Sequence, residues 1–254
     1  MATYKGIKGV KVQSKASDPT ASEAAGTVWY NTASTALKYA IQGTAAWASG
    51  GDLTTGRSSA AGCGTQTAGL FFGGEPPNTA KTESYNGTAW TEVGDLGGAL
   101  YSAVGGGTQT AALCVSGTTP PGAITLGVES WNGTSWAGTG DNVNVARTRG
   151  LGSTAGTTTA MLFAGGQVYP TVYGTTETYN GSTWTEVNNM TQVRFFSWGS
   201  GTSTAMLAVG GISSPSEPTT QLATVESWNG TCWSEVNDLN TARGKNCSSG
   251  TQTL

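Results

Sequence analysis

The sequence predicts an all-β fold, a β-propeller made of four-stranded blades. Three observations carry that prediction. Two short words alternate along the chain, their period is that of a propeller blade, and each period holds four short strand-like runs. The first word is ESYNGTAWTEV at Glu83, ESWNGTSWAGT at Glu129, ETYNGSTWTEV at Glu177 and ESWNGTCWSEV at Glu226. The second is GTQTAGLFFGG at Gly64, GTQTAALCVSG at Gly107, GTTTAMLFAGG at Gly156, GTSTAMLAVGG at Gly201 and GTQTL at Gly250. The glycines that open the second word are 43, 49, 45 and 49 residues apart. Four-stranded blades repeat at about 40 to 50 residues.

Each period reads as strands a to d, from the axis outward. Segments such as SSAAGC, YSAVGG and GLGSTA are rich in small residues, which lets an inner strand a approach its neighbours closely. TAGLFF and TAMLFA are apolar runs ended by glycine, as expected for a strand b buried on both faces. KTESY and TVESW alternate polar with apolar residues and suit a half-buried strand c. TAWTEV and its copies supply strand d. Between c and d stands Asn-Gly, at Asn86, Asn132, Asn180 and Asn229. Asn-Gly is the preferred centre of a type I′ hairpin turn, which needs positive φ at both positions. The same residues form Asn-Gly-Thr or Asn-Gly-Ser glycosylation sequons. The sequon coincides with the turn in every copy, so the turn reading is preferred and bare asparagines are expected.

The ends of the chain are read differently from its middle. Residues 1–26 lack both words and form an N-terminal arm or anchor. Lys5, Lys8, Lys11 and Lys15 lie in the first 15 residues with no acid among them, leaving 8 basic and 15 acidic residues for 16–254. Tyr4, Lys5, Lys8 and Lys11 are the candidate anchor residues. The propeller is expected over 27–254. Full blades fall at 51–95, 96–140, 141–190 and 191–239, with partial blades at 27–50 and 240–254. In the partial blades TVWYN, ALKYAI and GTAAWASGG supply outer strands and RGKNCSSGTQTL an inner one. Pairing the two would give about five blades with a shared closing blade, because closure removes exposed strand edges. The alternative is the N-terminal part of a larger propeller.

Composition narrows the function. Charged residues make up 11% of the chain and the net charge is −3, so there is no basic footprint for nucleic acid. No run of 18 apolar residues exists, so no membrane span is expected. MATYKGIKGVKVQ has no apolar core of the kind a secretory signal needs.

The residue inventory argues against catalysis. The chain contains no histidine, which removes Ser-His-Asp and Cys-His machinery. Cys63, Cys114, Cys232 and Cys247 lack metal-ligand spacing and lie in different repeats. Cys114 takes an apolar position in strand b and reads as a small buried hydrophobe. Cys232 and Cys247 leave one disulfide open. No catalytic residue, metal site or cofactor is expected. Glu92 with Asp95 and Glu235 with Asp238 recur at one blade position, so they read as turn acids. A carboxylate-based enzyme stays open as a second alternative.

Two features recur once per blade. One is Glu83, Glu129, Glu177 and Glu226. The other is Arg57, Arg149, Arg194 and Arg243, each seven residues before the Gly of Gly-Thr, with Leu100 in that place in the second blade. An Arg fork bonded to carboxylate or backbone is the expected form, and an axial Arg ring for an anion is the alternative. The repeats disagree mainly in their b–c loops, 75–82, 118–128, 167–176 and 212–225, which share a face with the d–a loops. Variable loops on a rigid scaffold are where binding usually sits. Candidate binding residues are Glu75, Pro76, Pro77, Asn78, Pro120, Pro121, Tyr169, Tyr173, Ser216 and Glu217.

A double glycine after an apolar strand, then an aromatic, then a tryptophan, at this period, resembles the kelch repeat of galactose-oxidase-like propellers over about residues 51–254. Tyr85 to Trp90 is one residue shorter than the usual kelch step, and Ser116-Gly117 replaces Gly-Gly in the second copy. The copper chemistry of that family needs imidazole and does not carry over. MATYKGIKGVKVQSKASDPT and GTVWYNTASTALK are similar to N-terminal segments of tailed-phage fibre and appendage proteins. The resemblance implies a non-enzymatic virion protein, assembled in the host cytoplasm, whose arm joins other virion proteins. Its propeller would meet a host surface glycan or protein, or neighbouring virion proteins, and a homo-oligomer stays open. A free carbohydrate-binding lectin is the first alternative.

Overall fold

The computed structural model describes residues 13–17, 28–39, 49–153, 155–216 and 218–245. The chain divides into two compact units, 1–49 and 50–254. In the first unit β1 (Gln13–Lys15) runs parallel to β2 (Val28–Asn31), and β2 pairs antiparallel with β3 (Ala36–Tyr39). The Asn31 side chain closes that hairpin by accepting the N–H groups of Ala33 and Ser34 at 3.0 and 2.9 Å.

Among the described residues the second unit is a propeller with four blades, each a four-stranded antiparallel meander. Blade 1 is β4 (Ala61–Thr65), β5 (Ala68–Phe72), β6 (Thr82–Tyr85) and β7 (Trp90–Glu92). Blade 2 has β8 (Val104–Thr108), β9 (Ala111–Val115), β12 (Val128–Trp131) and β13 (Trp136–Gly138). Blade 3 has β14 (Leu151–Gly152), β15 (Met161–Ala164), β18 (Thr176–Tyr179) and β19 (Trp184–Val187). Blade 4 has β20 (Trp198–Gly201), β21 (Met206–Val209), β24 (Val225–Trp228) and β25 (Trp233–Glu235). Of the expected closing blade, residues 40–48 and 246–251 lie outside the described residues, as does Cys247; among the described residues β2 has β1 and β3 as its neighbours.

Three b–c loops contain structure that their irregular sequence hides. They fold back as small ribbons: β10 (Thr118–Thr119) with β11 (Ala123–Ile124), β16 (Gln167–Val168) with β17 (Thr171–Val172), and β22 (Ile212–Ser214) with β23 (Thr220–Gln221).

The inner strands are small because their backbones touch. A Cβ on Gly105 would lie 2.9 Å from the Gly62 carbonyl oxygen, and one on Gly199 would lie 2.8 Å from that of Gly152. The apolar cores therefore lie between blades. Leu113, Val128, Met161, Phe163 and Trp184 form the cluster shared by blades 2 and 3. The second glycine of each double-glycine word joins neighbouring blades. The Gly74 N–H donates to the Leu100 carbonyl (2.8 Å), Gly166 to Arg194 (2.8 Å) and Gly211 to Arg243 (2.9 Å). Its φ is +111°, +101° and +107° in the three blades, a left-handed backbone that favours glycine.

The Asn-Gly turns differ in type from expectation. Tyr85 pairs with Trp90 across a four-residue loop, and the Asn86 N–H donates to the Ala89 carbonyl. Only glycine has positive φ, +91° to +96° across the four copies. Asparagine contributes its side chain instead. Asn86 Oδ1 accepts the N–H groups of Thr88 and Ala89, both at 2.9 Å, and Asn132, Asn180 and Asn229 repeat this geometry. The turn is an Asx-closed loop with glycine at its first central position, rather than type I′ with both residues left-handed.

Candidate functional site

The d–a and b–c connections meet on one face of the propeller. Backbone bridges Ser58–Glu75, Tyr101–Thr118, Thr148–Gln167 and Phe195–Ile212 tie them together, one in each blade. Beneath these connections a glutamate from each third strand anchors the crossing chain. Glu83 accepts the Thr54 N–H at 2.7 Å, Glu129 that of Gly97 at 2.8 Å, Glu177 that of Asn144 at 2.7 Å and Glu226 that of Thr191 at 2.8 Å.

In three blades an arginine completes the anchor. Arg57 pairs with Glu83, Arg147 with Glu177, and Arg194 with Glu226 at 2.7 Å. All six side chains are buried. Burial lowers the pKa of the Arg147 and Arg194 guanidinium groups from its ordinary value, and the facing glutamates counter it. Burial alone would raise the Glu83 pKa, but hydrogen bonds from Thr54 and Arg57 outweigh it and hold the carboxyl below its ordinary value.

The register corrects one expectation. Arg147, not Arg149, is the scaffold arginine of blade 3. The count back from Gly156 fails because the chain between β14 and β15 is two residues longer than its counterparts. Arg149 instead joins a ring on the axis. Ser59, Ser102, Arg149, Phe196 and Lys245 all have left-handed backbones, with φ of 49° to 58°. Their amides form a chain around the axis. The Ser102 N–H donates to Ser59 O (2.7 Å), Arg149 to Ser102 (3.1 Å), Phe196 to Arg149 (2.9 Å) and Lys245 to Phe196 (3.0 Å). A left-handed non-glycine residue costs about 1–3 kcal/mol, and these inter-blade bonds hold the conformation in place.

This ring borders an axial cavity of about 570 Å³, lined by the first residues of all four inner strands. The Arg149 guanidinium lies 4.7 Å over the Phe196 ring, and Lys245 Nζ lies 5.4 Å from the same ring. No ion pair among the described residues uses Arg149, and its Nε is buried without a partner, as is the Ser197 hydroxyl. Trp198 breaks the small-residue pattern of the inner strands. Its counterparts Ala61, Val104 and Leu151 are buried, whereas Trp198 is 40% exposed. Cation, hydroxyl and aromatic face therefore meet on the axis. Sequence reasoning missed Ser197, Trp198 and Lys245, and the only signal was a tryptophan inside a small-residue strand.

The loop residues singled out in the sequence are spread over separate blades. Pro76, Pro77, Asn78, Pro120, Pro121 and Ser216 are exposed, and Tyr169 is 71% exposed. Glu75 and Tyr173 are half-buried and act through their backbones: Glu75 bridges Ser58, and Tyr173 donates to Gly166 and accepts from Arg194. Tyr4, Lys5, Lys8, Lys11 and Glu217 lie outside the described residues. Asp95 accepts the Thr82 N–H and Asp238 that of Val225, while Glu92 pairs with Lys81 at the surface. Asp95, Asp238 and Glu92 thus each serve their own blade. Among the described residues no group of three His, Cys, Asp or Glu side chains could hold a metal. No protein-family model matches the chain, and no curated protein matches it.

Proposed function

We propose that the chain is a non-enzymatic structural or appendage protein of a virion, with kelch-like blades presenting one binding face. Residues 1–26 act as the arm that joins other virion proteins. The loop-bearing face meets a host surface glycan or protein, or a neighbouring virion protein. One observation carries the reading. All four blades keep the glutamate anchor and the Asx turn, three of them keep the Arg–Glu pair and the double-glycine joint, and further variation is concentrated in connections that meet on a single face beside the axial cavity. Variation on a fixed frame is the pattern of a recognition surface. The similarity of MATYKGIKGVKVQSKASDPT and GTVWYNTASTALK to phage appendage segments supplies the virion context.

Immunogold electron microscopy of purified particles, with antibody raised against residues 50–245, tests the reading. Label at the particle surface is expected, and its loss from particles carrying a chain without residues 1–26. Finding the chain only in the particle-free fraction of a lysate overturns it. The free lectin is the second reading, favoured by Trp198 and Arg149 both lining the axial cavity. Glycan-array binding without particle labelling would select it.

A further inference from the structure

We propose that the space beside Leu100 in blade 2 is a receptor for the guanidinium group of an arginine side chain on a protein partner. The inference deepens the proposed function and rests on reading the loop-bearing face as a binding face.

The other blades define what this position takes. In blade 3 the Arg147 Nε donates to the Gly165 carbonyl at 2.7 Å, its Nη2 to that of Phe163 at 3.1 Å, and its Nη1 to Glu177. Arg57 meets Gly73 and Glu83 in blade 1, and Arg194 meets Gly210 and Glu226 in blade 4. Strand pairing is in register across blades 2 and 3: Glu129 lies opposite Cys114 as Glu177 lies opposite Phe163. Blade 2 therefore keeps, at the matching positions, Cys114 and the Glu129 carboxylate, both of which line the space. Only the donor is gone, because Leu100 stands where Arg57, Arg147 and Arg194 stand.

What remains is a cavity of about 400 Å³ bordered by Leu100, Cys114, Gly127 and Glu129. Its rim includes Gly98 and Asn142, both exposed on the loop side. Glu129 is half-buried, whereas Glu83, Glu177 and Glu226 are at most 1% exposed. Leu100 is buried and cannot donate a hydrogen bond. A carboxylate in a space shaped like the arginine nests of the other blades fits a planar, five-donor guanidinium better than a compact ammonium. An arginine entering from the loop face would restore the arrangement the other blades build internally.

The test uses the full chain and methylguanidinium chloride, with methylammonium chloride and sodium chloride as controls. Binding is read by calorimetry and by the shift in Tm. Methylguanidinium should bind saturably and raise Tm, while the controls at equal ionic strength should not. Leu100→Arg fills the nest from within and should abolish the response. Glu129→Gln should weaken binding about tenfold or more, the effect of losing one charge-assisted hydrogen bond. Either variant alone suffices if the other fails to fold. Acetyl-Gly-Arg-Gly-amide should bind at least as tightly as methylguanidinium, and acetyl-Gly-Lys-Gly-amide should not. Equal binding of methylammonium, or an unchanged response in Leu100→Arg, overturns the site. Binding of methylguanidinium but not of the arginine peptide overturns the protein partner. Particle labelling is read separately, so failure here leaves the virion reading standing or falling on its own result.

Discussion

The indole N–H of Trp233 donates to the Thr176 hydroxyl one blade back, at 2.9 Å. Trp136 makes the same bond to Thr82, also at 2.9 Å. Trp184 is the equivalent residue of blade 3, but its Nε1 is buried without a partner. The cause is one residue: blade 2 has Val128 where blades 1 and 3 have Thr82 and Thr176. A buried unpaired donor carries a desolvation cost that a hydroxyl at 128 would remove. Val128→Thr should therefore stabilise the propeller by about 1 kcal/mol, raising Tm by about 3 °C. Val225→Thr, at the matching position of blade 4, is the control. A fall in Tm for Val128→Thr would mean the new hydroxyl does not reach Trp184.

The ring itself matters more than its N–H. Trp184 is 6% exposed and stacks on Tyr179 with ring centroids 5.0 Å apart. Trp184→Ala should cost about 3–5 kcal/mol, measured by urea denaturation. Trp90 is only half-buried, so Trp90→Ala should cost less. Equal losses at the two sites would contradict the burial difference.

Acid should act on the Arg–Glu anchors. The Glu83 carboxyl is held below its ordinary value in the folded chain. Its contribution is therefore complete above the unfolded pKa of about 4.3 and fades as pH falls through the lower folded value. Glu83→Gln should be strongly destabilising at pH 7, by about 3–5 kcal/mol, because it strands a buried guanidinium. The difference in Tm between wild type and Glu83→Gln should shrink as pH drops from 5 towards 2. A difference that stays constant over that range would show that Glu83 titrates alike in both states.

The thiols should be unequal. Burial pushes the Cys63 pKa up to about 12 and raises that of Cys114 as well. The thiolate is the reactive form. Cys114 is buried and Cys63 half-buried, so peptide mapping after brief iodoacetamide treatment at pH 8 should find Cys114 unmodified and Cys63 modified only slowly, with both labelled once the chain is denatured. Rapid labelling of Cys63 in the native protein would place it in a more open setting.

The asparagines should be bare, and intact mass should match the chain alone. Asn132→Ala removes the acceptor for two backbone N–H groups at the turn. The cost should be about 1 kcal/mol, since these donors can turn to water. A loss near zero would assign the turn to Gly133 alone, whose φ is +96°.

The sequence alone determined the blades. A repeat is written in covalent order, so the spacing of Gly-Thr and Asn-Gly words fixed four strands per period and the turn between strands c and d. It also marked Glu83, Glu129, Glu177 and Glu226 as equivalent, and Leu100 as the exception among arginines. Tertiary structure decided which atoms meet. Two extra residues between β14 and β15 made Arg149 look like the scaffold arginine, because counting from one landmark cannot say where a chain bulges; hydrogen-bond register gave that role to Arg147. The φ that carries Arg149 and Lys245 to the axis is set by contacts between blades, and no spacing encodes it. The cavity beside Leu100 exists for the same reason. A leucine in place of an arginine is visible in one dimension, but whether the space collapses or stays open depends on the rigid backbone that packs around it.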